Sequence, residues 1–345
     1  MPQTSQRTDV CIIGAGPVGL FAVFECGMLG MACQLVDALD VQGGQCAALY
    51  PEKPIYDIPG FARIDAADLV DRLMEQAAPF APAFHSDQQA TALARGAGGR
   101  WLVETSAGTR IDCAAVLIAA GCGAFGPNRP PLDGIEAYEA SGGVRYLVKR
   151  REALDGRRVV IAGGGDSAVD WALSLQHVAA SLSVVHRRDK FRAAPDSVAK
   201  LRALAAAGKV DLVVPFQLAS LEGEDGRLAA VVVRDLDGGE RRLEADVLLP
   251  FYGLAMKLGP VVDWGLNLER NHVLVDPATC QTNVAGVFAI GDIAHYPGKL
   301  KLILSGFSEA AMAAHAIFAL ARPGEALHFE YSTHKGVPGR KSGAA

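Results

Sequence analysis

Two glycine-punctuated turns govern what this chain can fold into. The first reads Asp9-Val-Cys-Ile-Ile-Gly14-Ala-Gly16-Pro-Val-Gly19 and the second Arg158-Val-Val-Ile-Ala-Gly163-Gly-Gly165-Asp166-Ser167-Ala168. Each joins a short apolar run to a GxGxxG or GxGxxA turn and then to a helix-forming segment, which predicts strand, tight turn and helix in direct succession. Pro17 suits the first helical turn, where its missing N–H has no partner to lose, and Gly30 is placed to stop that helix. The second helix is expected to run to about residue 180. Further strands are expected at 32–37 and 181–185.

Glycines at this spacing let the backbone approach a pyrophosphate, the helix N-terminus favours its charge, and a carboxylate about 20 residues on can hold a ribose hydroxyl pair. Asp37, twenty-one positions after Gly16, supplies that carboxylate in the first unit. At the same offset the second unit places His186-Arg187-Arg188-Asp189-Lys190-Phe191-Arg192. A carboxylate there would repel a 2′-phosphate, whereas guanidinium groups bind one through charge-assisted hydrogen bonds of about 1.5–3 kcal/mol each. The second site is therefore read as NADP(H)-binding, through Gly163, Gly165, Asp166, Ser167, His186, Arg187, Arg188 and Arg192. The first, through Gly14, Gly16, Gly19 and Asp37, is read as FAD-binding, because a hydride leaving a nicotinamide needs an acceptor.

At 345 residues, half of them apolar and 21% charged, the chain has material for two packed domains. A net charge of −5 argues against a generally basic nucleic-acid or membrane-surface binder. The start, MPQTSQRTDV, lacks an export signal, and the most apolar windows, 113–125 and 310–321, fall short of the roughly 18 residues a membrane span needs. A cytoplasmic chain without a membrane segment is expected. The seven cysteines show neither CxxC nor metal-ligand spacing, so no metal site is expected.

A third motif, Thr282-Asn-Val-Ala-Gly286-Val-Phe288-Ala-Ile-Gly291-Asp292, ends an apolar strand on Gly-Asp. With both glycine turns it resembles the flavoprotein reductases built from two dinucleotide domains. Within them, GGQCAALYPEKPIYDIPGF (43–61), GGGDSAVDWAL (163–173) and HRRDKFRA (186–193) resemble the thioredoxin reductase-like type of ferredoxin:NADP reductase. The resemblance implies an α/β fold of two Rossmann-like three-layer domains, with the NADP domain (123–255) inserted in a discontinuous FAD domain (1–122 and 256–345). It implies hydride transfer between NADPH and FAD N5, single-electron exchange with ferredoxin or flavodoxin, and a homodimer. It places Asp292 on the flavin's ribitol chain, Tyr50 and Tyr331 on the two faces of the isoalloxazine ring, and Gln45, Ala90, Phe125 and Thr333 at FAD contacts. No acid or base residue is proposed, and the helix beginning near residue 305 would point its N-terminus at the flavin pyrimidine.

Thioredoxin reductases carry a CxxC pair just before the second glycine turn, where this chain reads Ser141-Gly-Gly-Val-Arg-Tyr-Leu-Val-Lys-Arg-Arg151. The position five after Cys46 is Pro51, so the paired cysteines of lipoamide dehydrogenase-type enzymes are absent as well. Disulfide exchange within one chain needs a second thiolate, and Cys46 is read chiefly as a small buried filler, with a single-cysteine peroxidase or coenzyme A disulfide reductase left open. Basic docking candidates for an acidic partner are Arg145, Lys149, Arg150, Arg151, Lys299, Lys301, Lys335, Arg340 and Lys341. Two alternatives stay open: a thioredoxin reductase relative with another acceptor, and an FAD- and NADP(H)-binding redox sensor.

Overall fold

The computed structural model describes residues 5–121, 123–148, 150–327, 336 and 337, with the side chains of 97, 124–127 and 254–257 left aside. The chain forms two compact units, Met1–Phe125 with Met256–Ala345, and Gly126–Ala255.

In the first unit, five parallel strands lie in the order Val287–Ala289, Ala115–Ile118, Val10–Ile13, Cys33–Val36 and Ala83–His85. Alternation along the central strand assigns the two faces. Val10 and Ile12 join Leu117 and Phe288 beneath a layer of helices, Pro17–Met28, Ala66–Ala77 and Ile303–Ala321. Cys11 and Ile13 join Val116 and Ile118 on the opposite face, against Trp101, Val103 and Ile111 of a second sheet. The helix Pro17–Met28 is followed by Gly30 at φ +72, as the sequence predicts.

The 19-residue helix Ile303–Ala321 is long and apolar enough to cross a membrane, which corrects the expectation that no segment reaches that length. Here it is a packing helix of the first unit. Gly306 faces Val18 so closely that a Cβ would sit 2.4 Å from the valine methyl, and Ala310, Ala313, Ala314 and Ile317 are buried.

The second unit repeats the plan with four parallel strands, Asp211–Val213, Ser181–Val185, Arg158–Ala162 and Val247–Pro250. Val159 and Ile161 pack under helices Asp166–Leu175 and Pro195–Ala206; Val160 and Ala162 pack against an antiparallel sheet that includes Val231, Val233 and Leu243. The helix after the glycine turn ends at Leu175, five residues short of expectation. The amides of Val178 and Ala179 both turn back to the Leu175 carbonyl, and the Ala180 amide is taken by the Arg157 carbonyl, which commits the chain to the next strand.

The first glycine turn is also a packing joint. A Cβ on Gly19 would lie 2.0 Å from the Gly14 carbonyl oxygen, and one on Gly14 would lie 2.4 Å from the Ala119 carbonyl oxygen. Both neighbours are backbone atoms of the sheet and its turn and have little room to yield. Gly19→Ala is therefore expected to destabilise the apoprotein by about 3 kcal/mol, at the upper end for overpacking, read as a lowered urea midpoint of the first unit's unfolding.

Candidate functional site

Above the carboxyl ends of the first unit's parallel strands lies a cavity of about 310 Å³. This is where open α/β sheets leave a crevice, because each strand hands over there to a loop or helix N-terminus. Gly14, Gly16, Asp37, Gln45, Tyr50, Ala90 and Asp292 all line it. Segments separated by more than 200 residues thus meet in one concavity. Gly19 lies beneath the turn as a packing residue. The side chain of Phe125 is among those left aside, and Tyr331 and Thr333 lie outside the described residues.

The glycines of the turn divide by role. Gly14 and Gly19 are required by the chain's own packing, whereas Gly16 caps the helix in extended conformation at φ −72 and would find only the Gly44 Cα, 3.9 Å away, near an added Cβ. Among the described residues no packing contact demands a glycine at 16. Asp37 is fixed next to it, its Oδ2 accepting the Ala15 amide at 2.5 Å and its Oδ1 the Leu39 amide at 2.8 Å. Burial pushes its pKa up, while these two amides work in the opposite direction.

The glycine pair at 43–44 has a local cause. The Gly43 amide donates to the Ala15 carbonyl at 2.8 Å, and a Cβ on Gly44 would come within 3.0 Å of the Gly16 Cα. The short helix Gly44–Ala48 is thereby held against the phosphate-type turn and carries Gln45 and Cys46 into the wall, with Tyr50 just beyond. The Lys53 ammonium stands 5.8 Å from the Tyr50 ring. Cys46 is 2% exposed, and burial pushes its thiol up to about 11, partly opposed by its bond to the Tyr50 hydroxyl. It is thus a protonated wall residue at neutral pH, without the thiolate that redox or nucleophilic chemistry requires.

The second glycine turn has the same division. Gly163 packs against the Phe251 carbonyl oxygen (2.7 Å from an added Cβ) and against Ala168, whereas an added Cβ on Gly165 meets nothing within 4 Å. Gly164 is roofed by the His186 ring, 2.3 Å from where its Cβ would stand. His186 also packs on Phe191 with ring centroids 5.0 Å apart, and burial followed by the neighbouring arginines pushes its pKa down. The imidazole is therefore neutral at pH 7, and the cations are Arg187, Arg188 and Arg192, all exposed and without an ion-pair partner among the described residues. Their loop is tied over the turn: the Arg192 amide donates to the Gly164 carbonyl at 2.7 Å, and Asp166 Oδ1 accepts the Ala194 amide at 2.9 Å. Ser167 is exposed beside Asp166 at the start of the helix.

Sequence reasoning missed several wall residues. Residues 119–121 follow the strand Ala115–Ile118, a position that the apolar run ending in glycine could have signalled; Leu258, Pro260 and Val261 carry no local signal and arrive by tertiary folding. One expectation is corrected. The Lys299 side chain is 2% exposed and paired with the equally buried Glu309, so it is no docking cation. Arg150 and Lys301 are exposed, Lys301 Nζ lying 2.6 Å from His272 Nε2; Arg145 and Arg151 are half-buried, Arg145 Nε donating to the Gly142 carbonyl at 2.7 Å; Lys149, Lys335, Arg340 and Lys341 fall outside the described residues. No group of three or more metal-ligating side chains occurs among the described residues.

Comparison with known proteins agrees with this geometry. The family described as pyridine nucleotide-disulphide oxidoreductase matches residues 8–316. The chain is 64% identical over 332 residues to the ferredoxin–NADP reductase of Acidiphilium cryptum, covering 96% of this chain and 98% of that one. It is 62% identical over 339 residues to that of Rhodospirillum rubrum, with 97% and 98% covered. Among solved structures, the thioredoxin reductase of T. acidophilum shares the fold with a TM-score of 0.79 at 22% identity, over 91% of this chain and 99% of that one. With a cavity at the head of the first sheet, a second glycine turn crowned by arginines, and these relatives along nearly its whole length, the chain belongs to the pyridine nucleotide-disulphide oxidoreductase family, among its ferredoxin–NADP reductases.

Proposed function

We propose that this chain is a ferredoxin–NADP reductase that holds FAD in the cavity of its first unit and takes NADP(H) on the arginine-crowned turn of its second. The observation that carries the reading is the pair of open glycines, Gly16 and Gly165: among the described residues a Cβ on Gly16 would find only the Gly44 Cα, 3.9 Å away, and one on Gly165 nothing within 4 Å, each beside a helix N-terminus. The residues fit a dinucleotide. In the first unit the turn and the start of the helix Pro17–Met28 would hold the diphosphate, Asp37 would offer its remaining lone pairs to ribose hydroxyls, and Asp292 lines the same cavity. When bound, FAD supplies the chemistry that side chains lack, exchanging a hydride with a nicotinamide and single electrons with an iron–sulfur or flavin protein.

The chain's own contribution is orientation and electrostatics. Tyr50 gives the wall an aromatic face whose hydroxyl is tied to Cys46. Ile303, first residue of the long helix, also lines the cavity, so the partial positive charge of that helix end is directed there; its first turn has no acidic residue to cancel it. Tyr331 on the second flavin face, Thr333 and Phe125 remain parts of this proposal on the resemblance alone, as do flavodoxin as an alternative partner, the homodimer and the cytoplasmic location. In the second unit Arg187, Arg188 and Arg192 are the 2′-phosphate ligands, with neutral His186 packed beside them as a shaped contact.

NADPH-driven cytochrome c reduction is expected to require ferredoxin, to be unsupported by thioredoxin, and to persist within about twofold in Cys46→Ala, whose buried thiol has no proton or electron to exchange. Turnover with thioredoxin that vanishes in Cys46→Ala would instead establish disulfide chemistry. The two sites separate by substitution: Gly16→Ala should yield folded protein that has lost its yellow colour, and Gly165→Ala should keep FAD but raise the KM for NADPH by about tenfold or more, one lost contact of about 1.4 kcal/mol. Replacing Arg187 and Arg188 together by alanine should raise the KM for NADPH by roughly a hundredfold, from two charge-assisted bonds, while the KM for NADH changes little. An equal rise for both nucleotides would remove the 2′-phosphate assignment.

A further inference from the structure

Beneath the cavity floor the chain buries an ion pair that the cofactor contacts do not account for. The strand Val287–Ala289 makes its last sheet bond when the Ile290 amide donates to the Ile118 carbonyl at 2.9 Å. The chain then turns sharply at Gly291, φ +74, into the single 3₁₀ turn that carries Asp292. The buried Gly291 amide has passed the end of the sheet, and an orphaned buried N–H costs about 1–3 kcal/mol. Its acceptor comes from the long helix: Glu309 Oε2, 2.7 Å away. The other oxygen, Oε1, accepts the Tyr296 hydroxyl at 2.7 Å and the Lys299 ammonium. The Glu309 and Lys299 side chains are each 2% exposed, so the carboxylate is compensated by one cation and three donors in all.

We propose that Glu309, neutralised by Lys299, is the positioning residue for Asp292: it anchors the Gly291 amide, and through that anchor sets the affinity of the cavity for FAD. Both Gly291 and Asp292 line the cavity while Glu309 does not, so Glu309 can act on a bound ligand only through the turn it holds. Lys299 has a different task. Its ammonium supplies the opposite charge that a carboxylate buried this deeply requires, on the same oxygen that accepts the Tyr296 hydroxyl. This inference rests on reading the cavity as the FAD site.

The test is a double-mutant cycle on FAD affinity, measured by fluorescence titration of the full-length apoprotein. Glu309→Ala and Asp292→Ala should each weaken FAD by about tenfold or more, and the double variant should be no more than about twofold weaker than Asp292→Ala alone, because one effect runs through the other. The neutral pair Glu309→Gln with Lys299→Met keeps an acceptor for the Gly291 amide, with the new amide NH2 donating to the Tyr296 hydroxyl oxygen, and leaves no charge unpaired. It should recover FAD affinity to within about threefold of wild type, whereas Glu309→Ala with Lys299→Met should not. This neutral pair also decides the matter if Glu309→Ala fails to fold. Losses that multiply in the double variant, or a neutral pair as weak as the alanine pair, would overturn the positioning role while leaving the FAD site intact. Wild-type apoprotein that takes up no FAD would overturn the reading of the cavity itself.

Discussion

The point on which the first unit depends is the contact between residue 19 and the Gly14 carbonyl oxygen, which stands 2.0 Å from where a side chain at 19 would begin. That closeness lets the helix Pro17–Met28 lie directly on its sheet, which brings Leu20, Ala22 and Val23 into the core and aims the helix N-terminus at the strand ends. Gly43 and Gly44 then dock on the same turn through the Ala15 carbonyl and the Gly16 Cα, and Asp37 fixes the Ala15 amide from the next strand. The helix, the strand end at Asp37 and the glycine pair are thus registered to one turn before any ligand is considered. The cavity is what remains once these backbone contacts are made.

Most of the fold was legible because it follows from local rules. Two glycine turns at matching offsets from Asp37 and His186 announce two parallel-sheet units, and the alternation of Val10, Cys11, Ile12 and Ile13 already assigns two buried faces. What escaped has physical causes. The helix after Gly165 stops at Leu175 because the Arg157 carbonyl claims the Ala180 amide, a tertiary bond with no sequence signal nearby. Lys299 reads as a surface charge from its Pro-Gly-Lys-Leu-Lys surroundings; only the packing of the long helix brings Glu309 against it. In the same way Glu309 sits in the apolar run 303–321 as its lone acid, the feature that marks a buried and partnered carboxylate.

The family takes its name from a disulphide, yet the chemistry of this chain is arranged without one. The six described cysteines are buried. Cys11 and Cys33 are pushed well up by hydrogen bonds to Cys113 and Cys26 respectively, and Cys46 and Cys280 chiefly by burial, the latter to about 12. A cysteine at 46 in the cavity wall therefore serves as a compact, protonated residue beside the Tyr50 hydroxyl. Removing the second thiol from such a fold leaves electrons to pass through the cofactor alone, which suits an acceptor that is itself a redox protein.

The two nucleotide turns, built alike, are distinguished by the charge at the end of the following strand. Asp37 is drawn inward and bonded to two amides, so on the proposed reading it would present a fixed acceptor to neutral hydroxyl donors and repel a further phosphate. At the equivalent place in the second unit His186 is drawn inward in the same way, but stays neutral and roofs Gly164, which releases Arg187, Arg188 and Arg192 to stand outward. A carboxylate at 186 would neutralise those arginines in place, and a charged imidazole would add a cation at the expense of the packing against Phe191. A neutral ring at that position keeps the turn closed and leaves the guanidinium groups without ion-pair partners among the described residues, and on the proposed reading of this turn that is the arrangement with the least to undo when a dianionic 2′-phosphate binds.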